Sequence, residues 1–207
     1  MSLLPPPTSR EEDRPLHENV RLLASTLGSI VRRMEGEECY SAVEHLRTAC
    51  RERRHGTPPA SNLEDLLSLV DSFPLQMAAK VARAFTLFFL LINTAEQVHR
   101  VRRRRAHEND PDAPPQPASF LWAIEQLEKR GYDAEQVADV LSRMEIRPVL
   151  TAHPTEATRS SVLTLQARVA DKLLARDWAS PSERTDLEES IEAEVELLWL
   201  TSEVRPG

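Results

Sequence analysis

The sequence predicts a mostly α-helical protein from its glycine content, the placement of its prolines and the spacing of its apolar residues. It has only 5 glycines among 207 residues, and the tight hairpins of β-rich folds often need glycine because their turns require positive φ. Its 15 prolines cluster between periodic stretches rather than inside them. In those stretches apolar residues recur at helical spacing, which predicts amphipathic helices along most of the chain.

A disordered, proline-rich leader is predicted over residues 1–15, followed by a helical region over residues 16–145. The first helix is predicted from apolar residues at helical spacing, namely Leu16, Val20, Leu23, Leu27, Val31 and Met34. The second runs from about Glu37 to Arg53 and places on one face Cys39, Val43, Leu46 and Cys50. After a loop, Asn62 is suited to cap a short helix that reaches Val70.

A long helix is predicted from Pro74, which suits a first helical turn, to about Arg105. Its middle, Ala84 to Ile92, is apolar on nearly every side and is therefore expected to be buried by several neighbours. The proline-rich segment from Asn109 to Ala118 predicts a loop, and a helix follows from about Ser119 to Lys129. Gly131 is expected to end that helix, because glycine readily adopts the conformation of a helix C-terminus.

One more helix is predicted after residue 133, and the sequence pattern then changes near residue 146. Asp133 and Gln136 form a capping pair for one more helix, and Ile146 to Thr151 is then short, β-branched and apolar, which predicts a strand. A polar turn and a helix from about Pro154 follow. A single strand needs partners for its backbone donors and acceptors, and the sequence does not obviously supply them. Residues 146–207 therefore predict the start of a second, incomplete domain.

The last helix has a clear predicted start. Ser180 is suited to be its N-cap, Pro181 its first residue and Glu183 its third. Apolar residues then follow on this helix, namely Ile191, Val195, Leu198 and Trp199.

Charge and composition disfavour several classes of function. A net charge of -7 gives no overall attraction to nucleic acid or anionic membranes. The N-terminus has no basic-then-apolar signal segment, and Ala84 to Ile92 is too short to span a bilayer. Cys39 and Cys50 share one predicted helix at a separation of roughly 16 Å, beyond disulfide reach. We expect a reduced, cytoplasmic protein with neither nucleic acid nor membrane as a partner.

The segment VLTAHPTEATR, from Val149 to Arg159, is the most informative for chemistry. It is predicted to place His153 in a turn between strand and helix, with Pro154 at the first helical position. Free N–H groups at a helix start favour anions, and Arg159, about one turn on, adds a positive fork suited to phosphate or carboxylate. A histidine beside such a site can exchange protons near neutral pH. The alternative interpretation is that His153 only caps a helix.

Three segments of the chain resemble phosphoenolpyruvate carboxylases. TAHPTE followed two residues later by Arg159 resembles the histidine signature of that family, and FFLLINTAEQVHRVRRR over residues 88–104 is similar to its long helix. ELLWLTSEVR over residues 196–205 resembles a third family segment. Two positions depart from the family pattern: Ser160 replaces a usual second basic residue, and Ser202 replaces a usual aspartate.

The resemblance implies an enzyme that joins bicarbonate to phosphoenolpyruvate, giving oxaloacetate and phosphate, with Mg²⁺ or Mn²⁺ and without biotin. Bicarbonate attacks the phosphoryl group, which yields carboxyphosphate and the enolate of pyruvate. The histidine matching His153 then takes the carboxyl proton of carboxyphosphate, releasing CO₂ beside the enolate that captures it. Arg159 is the candidate for anion support. Metal and arginines must offset the repulsion between two anions.

The resemblance also implies a helix-rich (β/α)₈ barrel, with Ile146 to Thr151 as its first strand and His153 at the C-terminal rim. The family's metal-binding carboxylates lie further along a longer chain, so no metal ligand is predicted among these residues. The full-length family enzyme is usually a homotetramer. We therefore expect this chain to be a truncated N-terminal part with little activity alone.

Two other classes of function compete with this interpretation. A histidine phosphotransfer module would place its reactive histidine inside a helix, whereas the residue before Pro154 is biased away from helical geometry. A purely helical interaction module leaves the histidine turn unexplained. Glu96 with His99, and Glu52 with His55, have the Glu-x-x-His spacing of di-metal bundles, but the two further carboxylates of such a site have no candidates.

Overall fold

The computed structural model describes residues 13–55, 62–117, 119–149 and 158–201. The described residues form eight α-helices, which confirms the prediction of a mostly helical protein. In chain order they are α1 (Arg14–Glu35), α2 (Glu37–His55), α3 (Leu63–Asp71), α4 (Leu75–Glu108), α5 (Phe120–Lys129), α6 (Ala134–Arg143), α7 (Ser160–Ala175) and α8 (Pro181–Leu200).

The chain forms two compact units. Unit 1 lies within Met1–His99 and Ala157–Gly207, and unit 2 lies within Arg100–Glu156. In unit 1, α7 packs on α8 and α1 packs on both α2 and α8. α7 and α8 thus belong to the same compact unit as α1 and α2.

Unit 1 has a main core and a smaller cluster beside it. The main core contains fully buried side chains from α1, α4, α7 and α8, including Ile30, Leu87, Leu91, Val169, Leu173, Ile191 and Leu198. The smaller cluster joins the C-terminal half of α2 to α3 and α4 through Leu46, Ala49, Leu66 and Val81. Apolar burial of this kind is the main favourable term in folding.

The predicted helix starts and stops follow from local hydrogen bonds. Asn62, Asp133 and Ser180 each accept a bond from the N–H three residues on, and that residue's side chain bonds back. These three capping boxes confirm the predicted caps. Gly131 has φ 85° after α5, and the N–H groups of Gly131 and Tyr132 bond to the carbonyls of Glu128 and Leu127. This pattern ends a helix where glycine tolerates positive φ.

The predicted strand is not formed over the part of it that the structure describes. Residues 146–149 carry no regular secondary structure, and Ile146 and Val149 are both 79% exposed. Residues 150 and 151 lie outside the described residues. The physical reason is the one that the sequence suggested, since a strand forms only when a neighbour pairs with its backbone. The barrel therefore stays a prediction.

One helix boundary and one burial prediction also need correction. α1 begins at Arg14, so two residues assigned to the leader are helical, and the rest of the leader lies largely outside the described residues. The apolar middle of α4 is not covered on all sides, because Leu87 and Leu91 are buried whereas Phe89 is 59% exposed. Only one face of α4 meets the core of unit 1.

The helix α4 is long and apolar enough to cross a membrane by length and composition. The core helix of a soluble protein passes the same test. One face of α4 lies in the core and contains polar Thr94 and His99 as well as Val81, Leu87 and Val98.

Candidate functional site

The predicted site residues are only partly described by the structure. His153 lies in residues 150–157, outside the described residues, and so does Ser202. Arg159 and Ser160 are described. The position of His153 therefore stays a prediction, whereas the start of the following helix is known.

Arg159 is the N-cap residue of α7. The sequence predicted it about one turn into a helix that begins at Pro154. Its backbone is extended, with φ -63° and ψ 138°, and its carbonyl accepts a 3.0 Å bond from the N–H of Val162. The predicted helix from Pro154 cannot run continuously through Arg159, because Thr158 and Arg159 are not helical. Arg159 thus lies at the N-terminal, positive end of the α7 dipole. A guanidinium and the free N–H groups of a helix start both favour an anion.

The helix α7 is held firmly below this N-terminus. One apolar stripe is buried, consisting of Val162, Leu165, Val169 and Leu173. Between these residues, Gln166 Nε2 donates a 3.2 Å hydrogen bond to Thr94 Oγ1 of α4. Since Thr94 is 1% exposed, this polar contact fixes the rotation of α7 about its axis. The start of α7 is therefore set by its packing.

Ion pairs join the C-terminal end of α7 to the middle of α8. Lys172 Nζ donates a 2.6 Å hydrogen bond to Glu194, whose side chain is 11% exposed. Arg176 donates at 2.6 Å to Glu188 and at 3.3 Å to Asn19 of α1. Partly buried pairs of this geometry specify which helix faces meet, even where their net stabilisation is small.

The C-terminal end of α8 is tied to α1 and α4. Glu35 accepts hydrogen bonds from Lys80 Nζ at 2.7 Å and from Trp199 Nε1 at 3.1 Å. The hydrogen bond from Lys80 holds the pKa of Glu35 below its usual value, against a smaller opposing effect of burial. Arg83 lies over the Trp199 ring and donates at 2.7 Å to the carbonyl of Thr201. A cation thus caps α8 where the chain leaves it.

Several side chains of residues 88–104 on α4, the segment that resembles the family's long helix, are buried. Thr94, Ala95, Val98 and His99 are buried, and His99 Nε2 lies 3.3 Å from Asp13 Oδ1. Glu96 also has a partner within the protein. Among residues 13–55, 62–117, 119–149 and 158–201, no three His, Cys, Asp or Glu side chains gather to hold a metal. The divalent cation implied by the resemblance therefore does not fit the described residues.

A cavity of about 600 Å³ opens between α1, α2 and α4. Its lining includes Phe85 and Phe88 as well as Arg32 and Arg47. Arg47 donates to Glu44 at 2.7 and 2.9 Å, and Arg32 lies 4.0 Å over the ring of Tyr40. Arg47 and Arg32 therefore already have partners at this cavity.

The described residues define a helical scaffold that fixes two motif-bearing segments, the start of α7 and the end of α8. The sequence matches the family described as Phosphoenolpyruvate carboxylase over residues 16–207. The chain therefore belongs to the phosphoenolpyruvate carboxylase family.

Curated relatives give the same result. The chain is 38% identical over 201 residues to the phosphoenolpyruvate carboxylase of Nitrosomonas europaea and 36% identical over 199 residues to that of Nocardia farcinica. It is 31% identical over 197 residues to that of Xanthomonas campestris. These alignments cover 96%, 96% and 94% of this chain but 21% of each relative. The chain thus spans about a fifth of the length of these relatives.

Sequence reasoning missed the residues that hold the motifs in place. By spacing, each of Glu35, Lys80 and Arg83 has the pattern of an ordinary surface charge, so the sequence gives no signal for their contacts. Lys172 and Glu194 are separated by 22 positions, so no short-range pattern joins them. The only available signal was one carboxylate on the otherwise apolar face of α8, since Glu194 lies between Ile191 and Val195.

Proposed function

We propose that this chain supplies the N-terminal part of a phosphoenolpyruvate carboxylase and contributes its catalytic base, His153. The single observation that carries the proposal is the family match over residues 16–207, because it includes the histidine segment VLTAHPTEATR. The reaction adds bicarbonate to phosphoenolpyruvate and yields oxaloacetate and phosphate.

The chemistry assigned to this chain is a proton transfer. Phosphoryl transfer to bicarbonate leaves carboxyphosphate and the enolate of pyruvate. The imidazole of His153 removes the carboxyl proton of carboxyphosphate, so that the molecule breaks down to CO₂ and phosphate beside the enolate. An imidazole suits this step because its ordinary pKa lies near neutral pH. Carbon–carbon bond formation between the enolate and CO₂ completes oxaloacetate.

Arg159 is proposed to support the anions that gather near His153. Arg159 is the N-cap residue of α7, and the first turn of a helix has free N–H groups. Both sources of positive charge attract phosphate or carboxylate. Ser160 leaves the next position uncharged, so Arg159 is the cation proposed for this helix start.

The divalent cation of the reaction is expected from residues elsewhere in the full enzyme. Mg²⁺ or Mn²⁺ would offset the charge of the two anionic substrates, and biotin is not required. The family's metal-binding carboxylates are expected further along a longer chain, so this chain alone is expected to have little activity. Cytoplasmic location and a full-length homotetramer are further predictions.

The test uses the chain alone and the chain fused to the remainder of the Nitrosomonas europaea enzyme. Oxaloacetate is followed by coupled reduction to malate, and phosphate is measured in parallel. The fusion is expected to be active and the chain alone inactive. Turnover by the chain alone at ordinary enzyme rates, about 1–10³ s⁻¹, would overturn the expectation of inactivity.

A matched pair of variants tests the role of His153 in that fusion. His153→Asn is expected to lower oxaloacetate formation by about 10²–10⁴ while phosphate release continues, because the base acts after phosphoryl transfer. His45→Asn changes an exposed histidine of α2 and should leave both rates unchanged. Full activity of His153→Asn would remove His153 from the catalytic role.

A further inference from the structure

The cavity between α1, α2 and α4 has the size and lining of a small-molecule site. Its volume of about 600 Å³ lies within the range of about 300–1,000 Å³ that is typical of ligand pockets. All of its lining residues belong to unit 1. The three helices each contribute apolar side chains to it, including Val20, Ala24, Val43, Ala84, Phe85 and Phe88. Such a lining favours a ligand with an apolar body.

One wall of the cavity depends on a glycine inside α1. A Cβ atom at Gly28 would lie 3.2 Å from Tyr40 Cε2, which is closer than ordinary van der Waals contact. Arg32, one turn further along α1, lies 4.0 Å over the same ring. The Tyr40 ring is thus held against two successive turns of α1. Together with Phe85 and Phe88 it gives the cavity three aromatic side chains, which favour a flat aromatic ligand because aromatic rings pack well on one another.

Two basic side chains of the lining are balanced by carboxylates close to them. Arg47 donates two hydrogen bonds to Glu44, and Arg32 Nε lies 2.9 Å from Glu37. Each of these pairs has no net charge. Any further basic group in the lining therefore leaves an excess of positive charge at the cavity.

His17 and Arg21 provide this excess. They lie one turn apart on α1, both line the cavity and both are exposed. Neither makes an ion pair with another residue in the described part of the chain. The guanidinium of Arg21 offers the planar set of donors that matches a carboxylate, and His17 adds a second positive charge when it is protonated. A local excess of positive charge in a chain of net charge -7 favours an anionic ligand.

We propose that this cavity binds a small aromatic carboxylate. Its ring would pack among Tyr40, Phe85 and Phe88, and its carboxylate would meet Arg21 and His17. The inference is independent of the proposed function, since neither the histidine segment nor the start of α7 lines the cavity.

Calorimetric titration of the 207-residue chain with β-naphthoate tests the proposal. We expect saturable binding to a single site with a Kd of about 1 mM or tighter, the level that a ligand of this size reaches at ordinary efficiency. β-Naphthamide has the same rings without the charge and should bind at least about twofold more weakly. Acetate has the charge without the rings and should give no detectable binding. Absence of saturable β-naphthoate binding, or equal affinity for the amide, would overturn the proposal.

Octanoate tests whether the ligand is aromatic. It has the same charge as β-naphthoate, but its flexible chain must be ordered on binding and cannot pack as a ring. We therefore expect octanoate to bind more weakly than β-naphthoate. Tighter binding of octanoate would overturn the aromatic assignment.

Charge variants locate the carboxylate. Arg21→Gln is expected to weaken β-naphthoate binding about two- to fivefold, as for the loss of an exposed ion pair, whereas Arg21→Lys keeps the charge and should lose less. Arg14→Gln is the matched control, because it removes the same charge from the same helix at a side chain that is 72% exposed and does not line the cavity. Equal weakening by Arg14→Gln, or none by Arg21→Gln, would contradict the assigned contact.

Filling the cavity tests where the rings bind. Ala24→Phe is expected to weaken binding at least about tenfold, because the added ring occupies space that the ligand needs. Val20→Phe, one turn earlier, is the second variant if Ala24→Phe does not fold, and far-UV circular dichroism checks the fold of both. Unchanged binding by a folded variant would place the ligand elsewhere and overturn the proposal. If sedimentation shows a dimer of the chain that Ala24→Phe dissociates, a second copy occupies the cavity and the proposal is wrong.

Discussion

Replacing Lys172 by methionine tests how α7 and α8 are held together. Lys172 Nζ lies 2.6 Å from Glu194 Oε1, and the two side chains are only 19% and 11% exposed. Methionine keeps most of the side-chain length but removes the charge. The carboxylate of Glu194 would then remain buried without its hydrogen-bonded cation.

The expected loss of unfolding free energy can be worked from this geometry. Removing one partner of a buried ion pair costs about 3–5 kcal/mol. Arg168 lies 3.8 Å from Glu194 Oε2, but its side chain is 57% exposed, so it compensates only in part. We therefore expect Lys172→Met to cost about 2–3 kcal/mol, below the full range for a buried pair. The double variant Lys172→Met with Glu194→Leu should lose less than about 1 kcal/mol, because well-packed apolar residues often replace a buried pair without cost.

The measurement is urea unfolding followed by far-UV circular dichroism, since urea leaves ion pairs unscreened. Arg14→Met is the control, because Arg14 and its partner Glu18 are 72% and 62% exposed and such pairs contribute about 0–1 kcal/mol. A double variant as unstable as Lys172→Met would refute the reasoning, since the penalty would then not arise from an uncompensated buried carboxylate.

Two further predictions concern Glu35 and the cysteines. The Lys80 hydrogen bond lowers the pKa of Glu35 from 4.5, so its stabilisation is complete above that value and is lost as pH falls through the lowered folded pKa. Urea midpoints measured at falling pH should decline less steeply for Glu35→Gln, and parallel curves would contradict this. Iodoacetamide should label Cys50, which is exposed, and spare Cys39, whose thiol pKa is raised by burial. Equal labelling in native protein by mass spectrometry would contradict the buried position.

Most local features of the fold could be predicted because they depend on neighbours in sequence. The capping boxes at Asn62, Asp133 and Ser180 each need two residues three positions apart. Gly131 ends α5 through its own backbone freedom. The placement of Cys39 and Cys50 on one helix, both as free thiols, also follows from spacing alone.

Burial was harder to predict where one helix meets two neighbours. Helical spacing puts Cys50 on the same face as Cys39, yet Cys50 is exposed and Ala49 is buried at 3% exposure. Consecutive residues are rotated by about 100°, so the buried side of α2 shifts toward α3 and α4 in its second half. The spacing of apolar residues within α2 cannot predict that its second half packs on α3 and α4.

The sequence by itself determined the helical class, the helix caps and the motifs that mark the phosphoenolpyruvate carboxylase family, because these depend on residue type and short spacing. Only the tertiary structure decided which distant charges meet, as Lys172 meets Glu194 and Trp199 meets Glu35. The structure also shows that α7 begins at Ser160, with Arg159 as its N-cap, whereas the sequence predicted a helix from about Pro154. Long-range pairing depends on how whole helices pack, and no local pattern of residues encodes it.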